Sequence, residues 1–223
     1  MPARAVFIAG AGTEIGKTYV TAALTRRLRE RGRSVRTLKP LASGVPPVSD
    51  PGFAESDTAR LLDAQGLPVD ADTVEGCSPW RFSAPLSPDQ AAMLEGRSVA
   101  LADLVAWCRA QIACTDGTLL IEGVGGLMSP VTETATGLDW LRALGLPAIL
   151  VSGSYLGAIS HALTARETLR LHGVALLAVA VSESEGAPAP ASTVAASIAR
   201  HADAPVFCLR RGEACPAGLA DLI

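Results

Sequence analysis

A glycine-rich segment, Gly10–Thr18 (GAGTEIGKT), constrains the fold of this chain more than any other feature of its sequence. It follows an apolar run, Ala5–Ala9, that is typical of a buried strand, and it precedes residues 17–31, where apolar side chains recur at helical spacing. Glycines let successive backbone N–H groups turn inward around an anion, and the following helix directs the positive end of its dipole to the same place. The order of strand, glycine loop and helix therefore predicts a phosphate-binding loop.

The glycine spacing in this loop departs from the common phosphate-loop pattern. The pattern GxxxxGK[ST] requires glycine at position 11, whereas this chain has Ala11 between Gly10 and Gly12. Within the loop we expect Lys17 to contact the β- and γ-phosphates of a nucleotide and the Thr18 hydroxyl to bind Mg²⁺. The alternative is an ordinary glycine-rich turn that carries an unrelated lysine.

The rest of the chain alternates short aliphatic runs with segments of helical spacing. Runs typical of strands cover residues 34–38, 118–121, 147–151, 174–181 and 205–209. Segments with helical periodicity cover residues 55–64, 101–113, 138–144, 158–171 and 192–201. This alternation predicts an α/β fold, a P-loop NTPase-like parallel sheet with helices on both faces, in a single domain over residues 1–223. Residues 67–88 are rich in proline, which predicts a segment of irregular structure outside the alternating pattern. The tail after Arg210 has no pattern that indicates a helix or a strand.

The composition excludes several classes of protein. Apolar residues make up 49% and charged residues 18% of the 223 residues, which excludes a disordered chain. The net charge is −3 and there is no Lys/Arg block, so we expect no nucleic-acid partner. No apolar stretch reaches the ~18 residues that a membrane span needs, so we expect no membrane partner. Five cysteines without a CxxC pair indicate a reducing compartment and a cytoplasmic protein.

Two carboxylates are placed to complete a Mg²⁺–nucleotide site with Thr18. Glu122 follows the strand predicted at 118–121, so we expect it at the sheet edge that carries the phosphate loop. Asp57 precedes a helix. A role as the N-cap of that helix is the alternative for Asp57, and a solvated strand end is the alternative for Glu122. Lys39 ends the second strand, where an ammonium would neutralise charge that develops at a phosphate site, unless it is a plain surface lysine.

These motifs, in their order and spacing, resemble the dethiobiotin synthase family over residues 5–182. The segments that carry the resemblance are GAGTEIGKT, KPLASG, Asp57, RFSAPLSPDQAAMLEGRSV, IEGVGGLMSPV and LPAILVSGSYLGAISHALTARETLRLHGV. The loop of that family has the same longer glycine spacing, which accounts for Ala11. The resemblance covers most of the chain, so it implies the family's fold and reaction together.

The family closes a ureido ring on 7,8-diaminopelargonic acid, using CO2 and ATP as co-substrates and Mg²⁺ as cofactor. The resemblance implies that an amine captures CO2 as a carbamate, that the carbamate attacks the γ-phosphate, and that the second amine expels phosphate to give dethiobiotin. It also implies a homodimer, with the tail of the diamine near the subunit interface. Phosphoryl transfer of this kind needs positioning and charge neutralisation, for which Lys17 and Lys39 are the catalytic candidates.

The resemblance also assigns residues to the ligands. Nucleotide-binding positions are Gly12, Thr13, Glu14, Ile15, Gly16, Lys17, Thr18, Tyr19, Asp57, Glu122, Gly123, Val124, Gly125, Ser182, Arg210 and Arg211. Metal-binding positions are Thr18, Asp57 and Glu122. Substrate-binding positions are Thr13, Glu14, Lys39, Ser43, Tyr155, Leu156, Gly157 and Ser160. For Tyr155 and Leu156 the alternative is a purely structural place at the start of a helix.

The sequence departs from the family pattern in three places. Ser182 and Glu183 replace an Asn-Asp pair whose Asn reads the adenine edge, and a hydroxyl cannot reproduce the paired donor and acceptor of an amide. Arg210 and Arg211 stand where relatives have a proline-containing turn next to the base, and guanidinium groups could stack on a base or contact phosphate. Ser160 replaces an Asn near the diamine in some relatives. We therefore expect ATP to have no large advantage over other triphosphates.

Two other classes of function, a nucleotide-dependent switch and a non-catalytic binding protein, compete with this interpretation. A regulatory or partitioning ATPase with a deviant P-loop would carry an additional lysine early in the loop, and no lysine precedes Lys17 here. A GTPase switch would need an NKxD motif, which the sequence lacks. A non-catalytic relative that binds a metabolite remains an alternative, because the residues on the base side are altered.

Overall fold

The computed structural model describes residues 4–223, and its centre is a six-stranded parallel sheet. The spatial order of the strands is β2-β5-β1-β6-β7-β8, and every neighbouring pair is parallel. These strands are β1 (Arg4–Gly10), β2 (Val35–Leu38), β5 (Thr118–Glu122), β6 (Ala148–Ser152), β7 (Leu176–Ser182) and β8 (Val206–Leu209). The expected parallel α/β sheet is confirmed, and the carboxyl ends of all six strands meet at one edge.

Helices cover both faces of this sheet. They are α1 (Lys17–Glu30), α2 (Asp57–Gln65), α3 (Ala71–Cys77), α4 (Pro88–Leu94), α5 (Leu101–Ala113), α6 (Gly137–Leu144), α7 (Ala158–Leu171), α8 (Ala191–Ala199) and α9 (Ala217–Asp221). Side chains of β1 alternate between the two faces, as the pleat of a strand requires. Val6 and Ile8 pack in the cluster that contains Leu24 of α1, whereas the Phe7 ring meets Trp140 of α6 edge-to-face at 5.0 Å. The central strands are therefore buried on both sides, which explains their uninterrupted aliphatic sequences.

The prediction that residues 67–88 are irregular is wrong. This region contains α3 and a short strand β4 (Trp80–Phe82), which pairs in parallel with β3 (Leu41–Ser43) in a separate two-stranded sheet. The prolines stand beside these elements rather than inside them, since Pro79 precedes β4 and Pro88 is at the start of α4. Proline is tolerated in the first turn of a helix and at strand ends, so its frequency here does not exclude regular structure.

Several element ends differ from the predicted ones by one or two residues, and the tail contains a helix that the sequence did not indicate. Helix α9 lies against α1, and Leu219 is fully buried there. No helix within residues 4–223 is long and apolar enough to cross a membrane. Residues 1–3, the beginning of the predicted domain span, lie outside the described residues.

Candidate active site

The phosphate loop joins the carboxyl end of β1 to the first turn of α1. At Gly10, a Cβ atom would lie 2.7 Å from the carbonyl oxygen of Gly125, and at Gly16 the backbone is left-handed with φ +88°. Gly10 also accepts a 2.7 Å hydrogen bond from the N–H of Leu127. The glycine loops after the neighbouring strands β1 and β5 therefore pack directly on each other, which side chains at these positions would prevent.

Lys17 folds back over the loop. Its side chain is buried, and its ammonium donates a 3.0 Å hydrogen bond to the carbonyl oxygen of Gly12. Burial and repulsion from Lys39 lower the pKa of Lys17 to about 8, although the carboxylates of Glu122 and Asp57 act in the opposite direction. A phosphate in the loop would supply the negative charge that stabilises this ammonium.

Lys39 lies between the two carboxylates that the sequence had indicated. Its Nζ is 2.5 Å from Oδ2 of Asp57 and 2.7 Å from Oε1 of Glu122, and the Thr18 hydroxyl donates to the same Oε1 at 2.6 Å. Strand adjacency explains this convergence, because β2 leads to Lys39 and its neighbour β5 ends with Glu122. The alternatives of a surface lysine and of a solvated strand end do not hold, since both side chains are buried.

The ion pairs set the charge of this cluster. Burial by itself would lower the pKa of Lys39, but Glu122 and Asp57 outweigh it and hold that pKa above its usual value. Burial by itself would raise the pKa of Asp57, but the effect of the nearby Lys39 ammonium is larger than that of burial and keeps the pKa of Asp57 below its usual range. Lys39 is thus a fixed cation, and of the two lysines Lys17 is the one whose proton is held less tightly.

The oxygen atoms in this cluster fit a magnesium ion. Thr18 offers a hydroxyl, Asp57 a carboxylate whose side chain is 43% exposed, and Glu122 a carboxylate whose Oε2 is buried and has no hydrogen-bond partner within residues 4–223. Mg²⁺ prefers such hard oxygen ligands and completes its shell with water and substrate phosphates. The alternative role of Asp57 as a helix cap is filled by Ser56, whose hydroxyl accepts the N–H of Ala59 at 3.2 Å.

The residues assigned to the diamine occupy different parts of the surface. Thr13 and Glu14 are exposed at the tip of the phosphate loop, and Glu14 has a left-handed backbone with φ +56°. The Tyr155 hydroxyl lies 3.5 Å from the position of a Cβ at Gly12, which brings it beside the same loop. Ser43 is half-buried in β3. At the start of α7, by contrast, the assigned positions are exposed: Leu156 and Gly157 just before the helix, and Ser160 in its first turn.

The residues assigned to the base lie on the other side of the loop. The Ser182 side chain is fully buried against Gly16, where a Cβ atom would lie 2.3 Å from the serine oxygen. Arg211 places its guanidinium carbon 4.7 Å from the ring centroid of Tyr19. Arg210 instead pairs with Glu213 at 3.2 Å in an exposed position. The structure therefore brings Arg211 to the loop and directs the Arg210 side chain elsewhere.

Sequence analysis missed several side chains beside this site. His161 shares a 2.8 Å hydrogen bond through Nδ1 with the Tyr155 hydroxyl, six residues earlier in the chain. Ser154 and Ser184 exchange reciprocal bonds, since each backbone N–H donates to the hydroxyl of the other residue, at 3.0 and 2.9 Å. Tyr155 and His161 are only six residues apart, so their sequence could have indicated the contact. The two serines follow different strands, β6 and β7, and no local sequence pattern links them.

Comparisons with known proteins agree on one family. A family model described as an AAA domain matches residues 4–209. An ATP-dependent dethiobiotin synthetase from Methylobacterium nodulans is 66% identical over 220 residues, which cover 98% of this chain and 98% of that protein. An ATP-dependent dethiobiotin synthetase from Acidiphilium cryptum is 46% identical over 205 residues, which cover 90% of this chain and 91% of that protein.

Solved structures show the fold at low sequence identity. A ParA family ATPase from Chlorobium tepidum has a TM-score of 0.52 and 12% identity, covering 93% of this chain and 83% of that chain. The MinC:MinD cell division protein complex of Aquifex aeolicus contains a chain with a TM-score of 0.52 and 13% identity, covering 99% of this chain and 85% of its own. These likenesses confirm the P-loop NTPase-like fold and carry no information on the reaction.

Proposed function

The chain belongs to the ATP-dependent dethiobiotin synthetase family, and we propose that Lys17, Lys39, Asp57 and Glu122 form the centre at which it closes the ureido ring of dethiobiotin. Lys39 supports this assignment most directly, because its buried ammonium lies within 2.7 Å of both carboxylates and beside the phosphate loop. The relatives are enzymes by name, so the regulatory ATPase alternative is not favoured.

In the proposed reaction the chain supplies charge and position rather than a nucleophile. One amine of 7,8-diaminopelargonic acid captures CO2 as a carbamate, whose oxygen attacks the γ-phosphate of ATP and displaces ADP to give a carbamic–phosphoric anhydride. The second amine then attacks the carbamoyl carbon, and its ring-forming C–N bond replaces the C–O bond to the departing phosphate. Lys17 would neutralise the transferring phosphoryl group, and Lys39 would hold the carbamate beside it.

Magnesium would be held by oxygen atoms of this same cluster. Thr18, Asp57 and Glu122 are the residues that we propose as its ligands, and the unpartnered buried Oε2 of Glu122 supports this. When bound, the ion would neutralise charge on the β- and γ-phosphates. The part played by the chain is to hold two carboxylates and a hydroxyl on rigid strand and helix ends before the nucleotide arrives.

We propose that the diamine lies between the phosphate loop and a second copy of this chain. Thr13, Glu14 and Ser43 would contact the amine end, whereas the segment 155–160 would receive the carboxylate end from the partner copy. Leu156, just before α7, is 88% exposed, and Leu171, the last residue of α7, is 69% exposed; both line an apolar cavity of about 960 Å³. An exposed apolar surface of this kind on a single chain supports a homodimer, in which each copy forms one domain.

We also propose that the enzyme works in the cytoplasm. All five cysteines are free thiols, and burial raises the pKa of the Cys108 thiol to about 12 and that of Cys215 to about 11. Buried thiols of this kind are inert, which suits a reducing compartment and gives them no role in the chemistry.

A coupled assay tests the proposed function. The protein is mixed with 7,8-diaminopelargonic acid, bicarbonate, Mg²⁺ and ATP, and we expect phosphate release that depends on the diamine, with dethiobiotin as product. Lys39→Ala should lower turnover by about 10²–10³-fold, the effect of removing one charge-stabilising donor, while ATP binding survives. Phosphate release without the diamine would favour an ATPase instead, and unchanged turnover of K39A would remove Lys39 from the mechanism.

A further inference from the structure

The strand order fixes the side of the phosphate loop on which a nucleoside must lie. The loop follows β1, and the Lys39–Glu122 cluster lies toward β5 and β2, on one side of it. A triphosphate whose γ-phosphate faces that cluster must extend in the other direction, toward the ends of β7 and β8. A cavity of about 760 Å³ opens there, between Arg211 and the segment 183–190.

Arg211 forms a fixed wall of this cavity. Its backbone N–H donates to Oε2 of Glu183 at 2.9 Å, and its Nε donates to the Glu183 carbonyl oxygen at 3.1 Å. The guanidinium lies over the Tyr19 ring, and the Tyr19 hydroxyl donates to the carbonyl oxygen of Arg210 at 2.6 Å. One planar cation is thereby held by the first turn of α1 and by the loops after β7 and β8.

The polar side chains of residues 182–184 offer little that could distinguish one base edge from another. The Ser182 hydroxyl is sealed against Gly16 and does not line the cavity. The Ser184 hydroxyl already accepts the N–H of Ser154. The Glu183 carboxylate can only accept hydrogen bonds, and each of the four bases presents at least one N–H donor on its pairing edge.

We propose that the Arg211 guanidinium, supported by Tyr19 and Glu183, is a stacking platform for the base of the nucleotide and gives little discrimination among the four bases. This proposal depends on the proposed function through one premise only, namely that a nucleoside triphosphate occupies the phosphate loop. A planar guanidinium stacks on the face of any base, whereas discrimination requires hydrogen bonds along the edge.

Binding titrations of the full-length protein with the Mg²⁺ complexes of ATP, GTP, CTP, UTP and inorganic triphosphate test this proposal. We expect the four nucleotides to bind the wild type within about tenfold of one another. Arg211→Ala should weaken all four by about tenfold, as loss of a stacking partner does, and should leave inorganic triphosphate unchanged. Arg200→Ala is the matched control, because this exposed arginine bonds to the Ser197 hydroxyl at the end of α8 and does not line the cavity; the variant should bind all five ligands like the wild type.

The outcomes separate this proposal from the proposed function. A wild-type preference for ATP of about 100-fold or more would overturn it, as would an R211A loss of less than twofold or one confined to a single base. An equal loss of inorganic triphosphate in R211A would show that Arg211 binds phosphate instead and would also overturn it. Failure of the wild type to bind inorganic triphosphate at all would count against the phosphate loop itself, and hence against the proposed function.

Discussion

The ammonium of Lys39 and the hydroxyl of Thr18 bind the same carboxylate oxygen, Oε1 of Glu122, at 2.7 and 2.6 Å. Thr18 and Glu122, two of the proposed Mg²⁺ ligands, are therefore hydrogen-bonded to each other. The ammonium of Lys39, which is proposed to act on the substrate, neutralises the negative charge of the Glu122 carboxylate. A divalent cation that approaches these oxygen atoms without a nucleotide meets a positive charge already in place.

We expect Lys39→Met to bind Mn²⁺ or Mg²⁺ in the absence of nucleotide about tenfold more tightly than the wild type. The substitution removes the competing cation and leaves the buried Glu122 carboxylate without its partner, which should also destabilise the fold by about 3–5 kcal/mol. Added metal should then raise the melting temperature of K39M more than that of the wild type, because it binds only the folded state. Calorimetry and thermal unfolding measure the two effects.

Lys17→Met is the matched control for this metal titration. Lys17 donates to the Gly12 carbonyl rather than to the carboxylates, so its loss should change metal affinity much less. Equal metal affinity in K39M and the wild type would show that the ammonium of Lys39 does not compete with the metal for these oxygen atoms.

Lys17 should make nucleotide binding sensitive to pH. Its pKa in the unliganded protein is lowered to about 8, so above pH 8 the neutral amine dominates, whereas phosphates favour the charged form. Binding of MgATP should therefore take up a proton near pH 8 to 9, and affinity should fall by up to tenfold per pH unit above that range. Calorimetry in buffers of different ionisation enthalpy measures the proton uptake directly. Constant affinity from pH 7 to 9.5, without proton uptake, would contradict the lowered pKa.

Glu14 combines a strained backbone with a proposed contact to the diamine. A left-handed conformation costs a non-glycine residue roughly 1–2 kcal/mol, so Glu14→Gly should be about 1 kcal/mol more stable than Glu14→Ala. Both variants lose the carboxylate, and both should show a raised KM for the diamine. Denaturant unfolding and steady-state kinetics test the two effects separately. A diamine KM that stays at the wild-type value in both variants would exclude Glu14 from the substrate site.

The sequence predicted the sheet and the central cluster because both follow from strong, local rules. Helix α7 was predicted with its observed ends, 158–171, since apolar periodicity and a terminal glycine mark it. Lys39 and Glu122 were expected together because the carboxyl ends of adjacent parallel strands share one edge. That Glu122 would pair with Lys39 itself depends on side-chain directions, which spacing alone does not give.

Other features could not be predicted because they depend on contacts between distant segments. Strands β3 and β4 have three residues each, too few for a period-2 pattern, and they are stabilised by each other and by the helices around them. The contact between Tyr19 and Arg211 joins nearly opposite ends of the chain. It exists only because β8 completes the sheet and returns the tail to α1.

The exposed Leu156, just before α7, provides a test of the proposed homodimer. Leu156→Glu places a charge on the apolar surface that we assign to the subunit interface, and burying an unpaired carboxylate is strongly unfavourable, so the dimer should dissociate. Leu94→Glu is the matched control, because Leu94 is also exposed (66%) but lies on α4. Light scattering coupled to size exclusion should find dimers for the wild type and L94E and monomers for L156E, whose turnover should fall because the partner segment 155–160 is lost. A monomeric wild type would contradict the proposed interface. Dissociation of L94E but not of L156E would place the interface at α4 instead.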